Sequence, residues 1–342
     1  MARKREKWLD GLKGFAILLV ILGHVLSGYW DAWTFPDAWV SFYIVRNWIY
    51  SFHMPLFFLI SGFTFTLAYY RDGQLKTKNY LRQLFNLFFI YVVFALIQWG
   101  IKLLVPELVN EVYTWDTLKR MFVEPLGNFW YVYVLLVFYL LAALLHLPKW
   151  PGLWALFFGG VAIVAADAHL DWNYLTLYRI LYHLFFFFLG CCLCRRRELL
   201  KNQKLLGLSA MFLVTAAWFF FFGWVYRWFA NWKVGIAAAT SFVFLYQFYR
   251  FPKLSGFPLF QICGKYCLEL YLLHTFFTAG LRTLLPIAGI TTPWLSVWIN
   301  FILSTGLSLG LAWLSGRFWA MDLLFRPARF YTELNNRRKK TG

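Results

Sequence analysis

Residues 12–29 read LKGFAILLVILGHVLSGY, an apolar run in which Lys13 and His24 are the ionisable side chains. A helix of this length rises about 27 Å, close to the roughly 30 Å thickness of the hydrocarbon core of a bilayer. Apolar runs of the same kind recur along the chain as far as Trp319. The sequence therefore predicts an all-α, polytopic integral membrane protein.

The composition excludes the other protein classes. Of the 342 residues, 61% are hydrophobic and 14% are charged, whereas soluble domains have about 45–50% and about 25%. The chain is too apolar for a disordered protein and lacks the collagen repeat, and five cysteines are too few for a disulfide scaffold. Little length remains for a folded soluble domain.

Hydropathy windows of about 19 residues predict about ten transmembrane helices. Ten crossings return the C-terminus to the side of the N-terminus. The domain boundaries expected from this count are a cytoplasmic segment at 1–11, a ten-helix domain at 12–319 and a basic cytoplasmic tail at 320–342. The predicted helices cover 12–29, 49–70, 84–105, 128–147, 153–168, 179–194, 205–223, 234–251, 259–285 and 294–316.

The distribution of positive charge sets the expected orientation. The formal net charge is +18, and with ten crossings 25 of the 33 lysines and arginines fall on the side of the N-terminus. Cytoplasmic loops of membrane proteins carry such an excess of cations. Both termini are therefore expected in the cytoplasm, and the net charge needs no nucleic-acid partner to explain it.

The five cysteines point to neither disulfides nor a metal. Cys191, Cys192, Cys194, Cys263 and Cys267 fall near predicted cytoplasmic helix ends, where thiols stay reduced. Their spacing matches none of the usual zinc patterns. Packing or juxtamembrane acylation is expected, and no metal site.

Ionisable residues inside apolar spans are the main functional candidates, because they are costly in a membrane. Lys13 and His24 are eleven residues apart, which places them within about 20° of one helix face and about 16 Å apart along the axis. Asp10 lies one turn before Lys13. Two interpretations remain open: a cation at the membrane surface with a working imidazole deeper in, or a snorkelling lysine with a helix-packing histidine.

Two more histidines are expected at the membrane level of His24. His53 precedes Pro55 in the helix predicted to start at residue 49, where a proline in the first turn is cheap. His274 lies about fifteen residues into the predicted helix 259–285. Three imidazoles from three helices would form a polar cavity in which a neutral histidine can act as a general base.

Two further pairs are predicted from helical spacing. Arg179 and His183 share a face at i, i+4, with acceptor binding and interfacial anchoring both open. Lys265 lies one turn before Glu269, so an ion pair between them is expected.

Five segments together resemble the membrane acyltransferase-3 family in order and spacing, over roughly residues 8–320. The segments from helices 1 and 2 are specific in combination, and the other three are supportive. They are Asp10–His24, Phe52-His53-Met54-Pro55 with Ser61-Gly62, Phe129-Trp130-Tyr131-Val132, Phe187-Phe188-Leu189-Gly190, and Gly264-Lys265-Tyr266 with Tyr271-Leu272-Leu273-His274.

The resemblance implies an enzyme that takes an acyl group, usually acetyl, from cytoplasmic acyl-CoA and delivers it to a carbohydrate hydroxyl across the membrane. The family's Arg-x10-His signature maps onto Lys13 and His24. This chain departs from the signature because Lys13 is not arginine, and lysine offers phosphate a point charge instead of a bidentate fork. The chain is expected to acylate its acceptor itself or to pass the group to a separate protein.

The expected site follows from the residues and the resemblance together. His24 is the predicted catalytic residue. Acyl-CoA is expected as a donor substrate with no permanently bound cofactor, and its phosphates would meet Lys13, Arg82, Arg195 and Arg196, although topology alone could also explain the loop cations. The predicted supporting residues are Asp10, His53, Ser61, Trp130, Arg179, His183, Tyr271 and His274.

The expected partners are acyl-CoA, a carbohydrate acceptor, membrane lipid and envelope polysaccharide synthesis proteins, and the expected location is the plasma membrane. Two alternatives remain. The chain could be a transporter or flippase for lipid-linked sugars, for which polar intramembrane residues and 39 Phe, 20 Tyr and 19 Trp would also fit. It could also be a non-enzymatic member of an envelope-synthesis complex, in which case His24 would be dispensable.

Overall fold

A computed structural model describes residues 6–71, 74–104, 112–144, 150–167, 175–221 and 225–327. Within these ranges the regular structure is helical apart from a short antiparallel pair of two-residue strands, β1 (Tyr70–Arg71) and β2 (Gln74–Leu75), in which Tyr70 pairs with Leu75. The helices are α1 (Lys7–Asp31), α2 (Trp39–Tyr69), α3 (Thr77–Leu104), α4 (Trp115–Lys119), α5 (Trp130–Leu144), α6 (Pro151–Asp167), α7 (Leu175–Arg195), α8 (Lys204–Phe221), α9 (Val225–Arg250), α10 (Pro252–Ser255), α11 (Pro258–Lys265), α12 (Cys267–Ile287), α13 (Pro293–Ser315) and α14 (Trp319–Phe325).

Seven segments in the described ranges are long and apolar enough to cross a membrane. Shorter apolar helices cover Pro151–Ala166 and Lys204–Leu213. Each of the ten expected segments overlaps a helix, but seven rather than ten meet the criteria of length and hydropathy. The all-α membrane fold is confirmed at this level, while ten crossings stay a prediction. The seven segments are Lys7–Asp31, Pro36–Tyr69, Thr77–Leu104, Gly127–Leu144, Thr176–Arg195, Cys267–Ile287 and Pro293–Ser315.

Helix α1 lies at the centre of the bundle. Its apolar window is 72% buried, against 33% for the windows of α3 and α12. It packs against α2, α9, α11, α12 and α13. The side chains of α1 therefore face other helices over most of its length, which places His24 inside the protein.

Helix α2 starts ten residues earlier than predicted, at Trp39, so Pro55 lies inside the helix and not in its first turn. Hydropathy missed the added turns because they contain Arg46 and Asn47. The Arg46 guanidinium is nevertheless accommodated, with Nε donating to Ser27 Oγ at 2.7 Å. The polar contact with α1 thus stabilises the first turns of α2, which hydropathy alone does not predict to be part of a membrane helix.

The predicted helix 259–285 is two helices. α11 ends at Lys265, and α12 begins at Cys267 after a non-helical Tyr266. The break lets α11 lie against α1 at very close range. The contact leaves no room for side chains at two glycines: a Cβ on Gly14 would collide with the Phe260 carbonyl, and a Cβ on Gly264 would collide with the Asp10 carbonyl. Packing between helices therefore divides a segment that the apolar run predicts to be one continuous helix.

Glycine also sets the crossing of α2 and α7. A Cβ on Gly62 would collide with the Phe187 carbonyl, and a Cβ on Gly190 would collide with the Leu59 carbonyl. Cys191 adds a thiol hydrogen bond to the Gly62 carbonyl, at 3.4 Å. Small residues permit this close backbone approach, as they do in other membrane helix pairs.

The C-terminal end of the described chain returns to the bundle. Arg326 pairs with the buried Glu269 carboxylate at 2.6 Å, and Phe325 packs against Phe94 of α3. The predicted Lys265–Glu269 pair is therefore wrong: the Lys265 ammonium lies over the ring of Tyr266. Residues 328–342 of the predicted basic tail lie outside the described residues.

Candidate active site

A cavity of about 250 Å³ lies beside His24. Two helices present matching faces to it at i, i+3, i+4 and i+7, and α3 adds an i, i+4 pair, so each contributes one side of the cavity. The lining residues are His24, Ser27, Gly28 and Asp31 from α1, Thr275, Thr278, Ala279 and Arg282 from α12, Gln98 and Lys102 from α3, and Asn128 from the turn before α5.

The cavity is polar in a protein that is 61% hydrophobic. Apart from Gly28 and Ala279, every lining residue carries a hydrogen-bonding or charged side chain. Polar groups in a membrane domain are costly unless they line a water-filled or ligand-filled space. This lining offers hydrogen-bond partners to a hydrophilic ligand.

His24 and His274 are neighbours across the α1–α12 contact, with their ring centroids 5.0 Å apart. His274 Nδ1 lies 3.0 Å from the Leu270 carbonyl oxygen. Because a carbonyl oxygen only accepts, Nδ1 must carry the proton, and Nε2 then presents a lone pair. His274 Nε2 is buried and has no hydrogen-bond partner among the described residues, so a basic nitrogen lies beside His24.

His53 joins this group through Tyr50. The Tyr50 ring lies 4.7 Å from the ring of His53 and 6.3 Å from that of His24. His53 Nδ1 donates to the Ile49 carbonyl at 2.8 Å, so its Nε2 is again the basic nitrogen. The structure thus brings the three predicted histidines close together, but His24 alone of the three lines the cavity.

Arg46, which the sequence analysis missed, extends the group. Its guanidinium lies over the rings of Trp30 and Tyr50, at 4.7 and 4.9 Å. Arg46 donates to Ser27 Oγ, and Ser27 Oγ in turn donates to the Tyr50 hydroxyl at 3.0 Å. The chain of hydrogen bonds connects a fixed positive charge to the cavity wall at Ser27.

Tyr271 and Ser61 connect the site to α5. The Tyr271 hydroxyl donates to the Asn128 carbonyl, and the ring of Tyr271 lies 5.3 Å from that of Tyr131. Ser61 Oγ and the Tyr131 hydroxyl form a 2.8 Å hydrogen bond. Both predicted supporting residues therefore hold α5 against α2 and α12.

Arg179, His183 and Trp130 form a second group, outside the cavity lining. The Arg179 guanidinium lies 4.6 Å from the centre of the Trp130 ring. His183 packs against Phe58 and Trp130 and donates from Nδ1 to the Arg179 carbonyl at 2.8 Å. The predicted face shared by Arg179 and His183 is present as a stacked aromatic and cationic cluster.

The cations predicted to bind phosphate lie at the other end of α1. Lys13 is half-buried and Asp10 is buried, and both lie within electrostatic range of Cys267. Arg82, Arg195 and Arg196 are exposed, and Arg195 also lies near the ring of Tyr70.

Arg197, which follows Arg195 and Arg196 in the sequence, makes its contacts with other residues. Its guanidinium pairs with Glu6 at 3.3 Å and lies over the Phe63 ring.

All five cysteines carry thiols, and no three His, Cys, Asp or Glu side chains in the described ranges come close enough to share a metal ion.

A signal for the cavity was present in the sequence. Counting i, i+3, i+4 and i+7 from His24 gives Ser27, Gly28 and Asp31, and the same count from Thr275 ends at Arg282. Two polar faces on apolar helices predict a shared interior surface. Gln98 and Asn128 had no such pattern, since they enter the cavity from α3 and from a turn.

The chain is similar in sequence to known proteins. The profile of a family described as an acyltransferase domain, Acyl_transf_3, matches residues 6–317. The chain is similar to nodulation protein NolL of Mesorhizobium japonicum, with 25% identity over 221 residues, which are 64% of this chain and 57% of that protein. The chain thus spans less than two thirds of this relative's length. No solved structure matches.

Proposed function

The chain belongs to the acyltransferase-3 family, and from this premise we propose that it transfers an acyl group, acetyl foremost, from acyl-CoA to a hydroxyl of a carbohydrate. The donor would lie on the cytoplasmic side and the acceptor on the opposite side of the plasma membrane. The observation that carries the proposal is the polar cavity beside His24, which is large enough for a small hydrophilic group and has an imidazole in its wall.

His24 is the proposed catalytic residue, with two routes open to it. In the first, His24 takes the proton of the acceptor hydroxyl, the hydroxyl oxygen attacks the thioester carbonyl, and CoA leaves as a thiolate that the imidazolium can protonate. In the second, His24 attacks the thioester carbonyl and CoA leaves as a thiolate; the acceptor hydroxyl then attacks the acyl-imidazole, and the released imidazole takes up the hydroxyl proton. Detection of acylated His24 would support the second route, and ternary-complex kinetics without the adduct would support the first.

The proposed phosphate site is at the Lys13 end of α1. Lys13, Arg82, Arg195 and Arg196 would attract the CoA phosphates, while the thioester arm reaches about 16 Å along the α1 face to His24. Arg197 is left out of this set, because its charge is partly balanced by Glu6. The exposure of the three arginines supports a role at the surface.

The remaining predicted residues have proposed supporting roles. His53 and His274 would orient His24, since both lie in its aromatic group. Tyr271, Ser61 and Trp130 would hold α5 in place, and Arg179 with His183 would take part in acceptor binding from the neighbouring cluster. Asp10 would steady the Lys13 end of α1. Envelope polysaccharide synthesis proteins are the proposed protein partners.

Donor binding tests the proposal without knowledge of the acceptor. Purified protein would be heated in the presence of CoA, acetyl-CoA, succinyl-CoA or palmitoyl-CoA, for wild type, Lys13→Ala and His24→Ala. Saturating ligand stabilises by about 2.7 kcal/mol at 100 times its Kd. We expect saturable stabilisation of wild type, weaker stabilisation of Lys13→Ala, and unchanged stabilisation of His24→Ala.

Lys204→Ala is the matched control, since Lys204 is an exposed lysine at the proposed cytoplasmic face outside the proposed site. It should bind donors as wild type does. If none of the four donors stabilises wild type, the acyl-CoA reaction is wrong, and transport of lipid-linked sugars becomes the hypothesis to test.

A further inference from the structure

Two amide side chains in the cavity wall have oxygens without partners. Gln98 and Asn128 are each 8% exposed, and both line the cavity beside His24. The Gln98 Oε1 and Asn128 Oδ1 atoms are buried and make no hydrogen bond in the described part of the chain. Native proteins leave few such groups, and each one calls for an explanation.

The orientation of the Asn128 amide follows from its contacts. Its Nδ2 donates to the Tyr271 carbonyl at 3.5 Å, and the Tyr271 hydroxyl donates to the Asn128 carbonyl. Because a carbonyl oxygen only accepts hydrogen bonds, the amide nitrogen of Asn128 must face the Tyr271 carbonyl. The amide oxygen, Oδ1, is then the atom without a hydrogen-bond partner in the described residues. These two hydrogen bonds fix the turn before α5 to α12 and leave Asn128 Oδ1 available to accept a hydrogen bond from a ligand.

The Gln98 amide lies against the same turn. A Cβ on Gly127 would lie 2.8 Å from Gln98 Nε2 and 2.9 Å from Oε1, so the amide lies in the space that a side chain at Gly127 would fill. Gly127 also has a φ of +48°, which favours glycine. The positive φ of Gly127 thus favours glycine at this position, and the turn packs closely against the amide end of the Gln98 side chain.

Thr275 on α12 adds a third group of the same kind. Its Oγ1 is buried without a hydrogen-bond partner in the described residues, and it lines the cavity one residue after His274. A buried polar group without a hydrogen-bond partner lowers the stability of the folded protein. Three such groups around one cavity represent a stability cost that a bound ligand would relieve.

We propose that Gln98, Asn128 and Thr275 form a recognition site for the hydroxyl groups of a single sugar ring, with the two amide oxygens accepting from ligand O–H groups. Amide oxygens that lack a partner select a ligand rich in donors, as a polyol is. The cavity of about 250 Å³ is smaller than the roughly 300–1,000 Å³ of drug-sized pockets, which favours one ring over an oligosaccharide.

This inference rests on the proposed function in one respect, since it makes the bound ring the acceptor whose hydroxyl meets His24. It goes further in naming residues that determine specificity. Loss of a polar contact to a ligand hydroxyl leaves the binding of acyl-CoA at the Lys13 end untouched. The two sites can therefore be tested separately on one sample.

The test uses protein in lipid nanodiscs, free of glycoside detergents that would occupy a sugar site. The probes are the methyl α-D-pyranosides of glucose, galactose and mannose, together with 2-methoxytetrahydropyran, which has the ring without the hydroxyl groups. The variants are Gln98→Leu, Asn128→Leu and Thr275→Val. Thr305→Val is the matched control, because Thr305 Oγ1 is also buried and unpartnered but the residue does not line the cavity.

We expect at least one glycoside, and not 2-methoxytetrahydropyran, to raise the melting temperature of wild type and Thr305→Val saturably. Gln98→Leu and Thr275→Val should weaken the apparent affinity at least tenfold. Without ligand they should be no less stable than wild type, because an unsatisfied group has been removed. Thr275→Val nearly preserves side-chain shape, so it keeps the test valid if Asn128→Leu fails to fold.

Three results would overturn the site: equal glycoside binding by the cavity variants, equal stabilisation by the ring without hydroxyls, or no binding of any glycoside to wild type. Acetyl-CoA is added to the same samples as a second probe. Glycoside binding without donor binding would leave the sugar site standing and count against the proposed acyl transfer. Donor binding without glycoside binding would count against the sugar site and leave the proposed acyl transfer standing.

Discussion

At the scale of single residues, the helix backbone sets the chemistry of the histidines. His53, His183 and His274 each donate from Nδ1 to the carbonyl four residues earlier, at 2.8–3.0 Å. The carbonyl fixes the tautomer, so each ring presents Nε2 as its basic atom. Only in His274 does this arrangement occur next to the ring of His24, which makes His274 the proposed positioning residue for catalysis.

Two amide substitutions separate the roles of the two nitrogens of His274. An asparagine amide can reach the place of Nδ1 and the Leu270 carbonyl, whereas a glutamine amide extends to the place of Nε2. We expect His274→Asn to lower kcat by about 10–100-fold, below the range for loss of a full general base. His274→Gln should retain more of the activity, with acyl-CoA binding unchanged in both.

The measurement is initial-rate kinetics with the preferred donor, alongside the melting temperature of each variant. A purely structural role would lower the melting temperature of both variants and give no rescue by glutamine. Turnover of His274→Asn within about threefold of wild type, less than 1 kcal/mol in barrier, would remove His274 from the site.

At the scale of helices, glycine decides which faces meet. Gly62 and Gly190 bring α2 and α7 into backbone contact, and Gly14 and Gly264 do the same for α1 and α11. All four belong to the segments that carry the family resemblance. These segments therefore combine two kinds of position: histidines that face the site, and glycines that fix the helices that carry them.

Gly62→Ala should destabilise the protein, because the new Cβ would overlap the Phe187 carbonyl and force α2 and α7 apart. Overpacking of this kind costs about 1–3 kcal/mol. Gly310→Ala in α13 is the matched control, since nothing lies within 4 Å of a Cβ there. It should be stabilising by about 0.5–1 kcal/mol, from helix propensity alone.

Thermal unfolding of the two purified variants, followed by size-exclusion chromatography, measures the difference. Opposite shifts in melting temperature are expected. Shifts of the same sign and size would mean that the α2–α7 crossing does not depend on close backbone approach.

At the scale of the whole molecule, the number of crossings decides on which side the two ends lie. In the part of the chain that the structure describes, seven segments satisfy the criteria of length and hydropathy, and seven crossings would put the termini on opposite sides of the membrane. Ten crossings put both on one side and collect 25 of 33 cations there. The positive-inside rule favours the second arrangement, in which α6, α8 and α9 also cross.

Reporter fusions at the two ends distinguish these arrangements. GFP fluoresces when it folds in the cytoplasm, and alkaline phosphatase is active when exported. With ten crossings, GFP should fluoresce at either terminus and alkaline phosphatase should be inactive at both. An active phosphatase at the C-terminus with a fluorescent N-terminal GFP would require an odd number of crossings.

The sequence by itself determined the membrane class, the position of most helices and the central candidates Lys13, His24, His53 and His274. These follow from apolar run length and from the cost of ionisable groups in lipid, which are local properties of the chain. The family resemblance rested on the same segments, and the profile match confirms the family.

Only the tertiary structure decided where α2 begins, where α11 and α12 divide, and which partner Glu269 takes. Each depends on contacts between distant segments, such as Arg46 with Ser27 and Arg326 with Glu269. The cavity depends on the same kind of packing, since Gln98 and Asn128 join His24 in its lining from different elements. Hydropathy and helical spacing carry no information about which helix faces meet, because packing between helices chooses among many compatible arrangements.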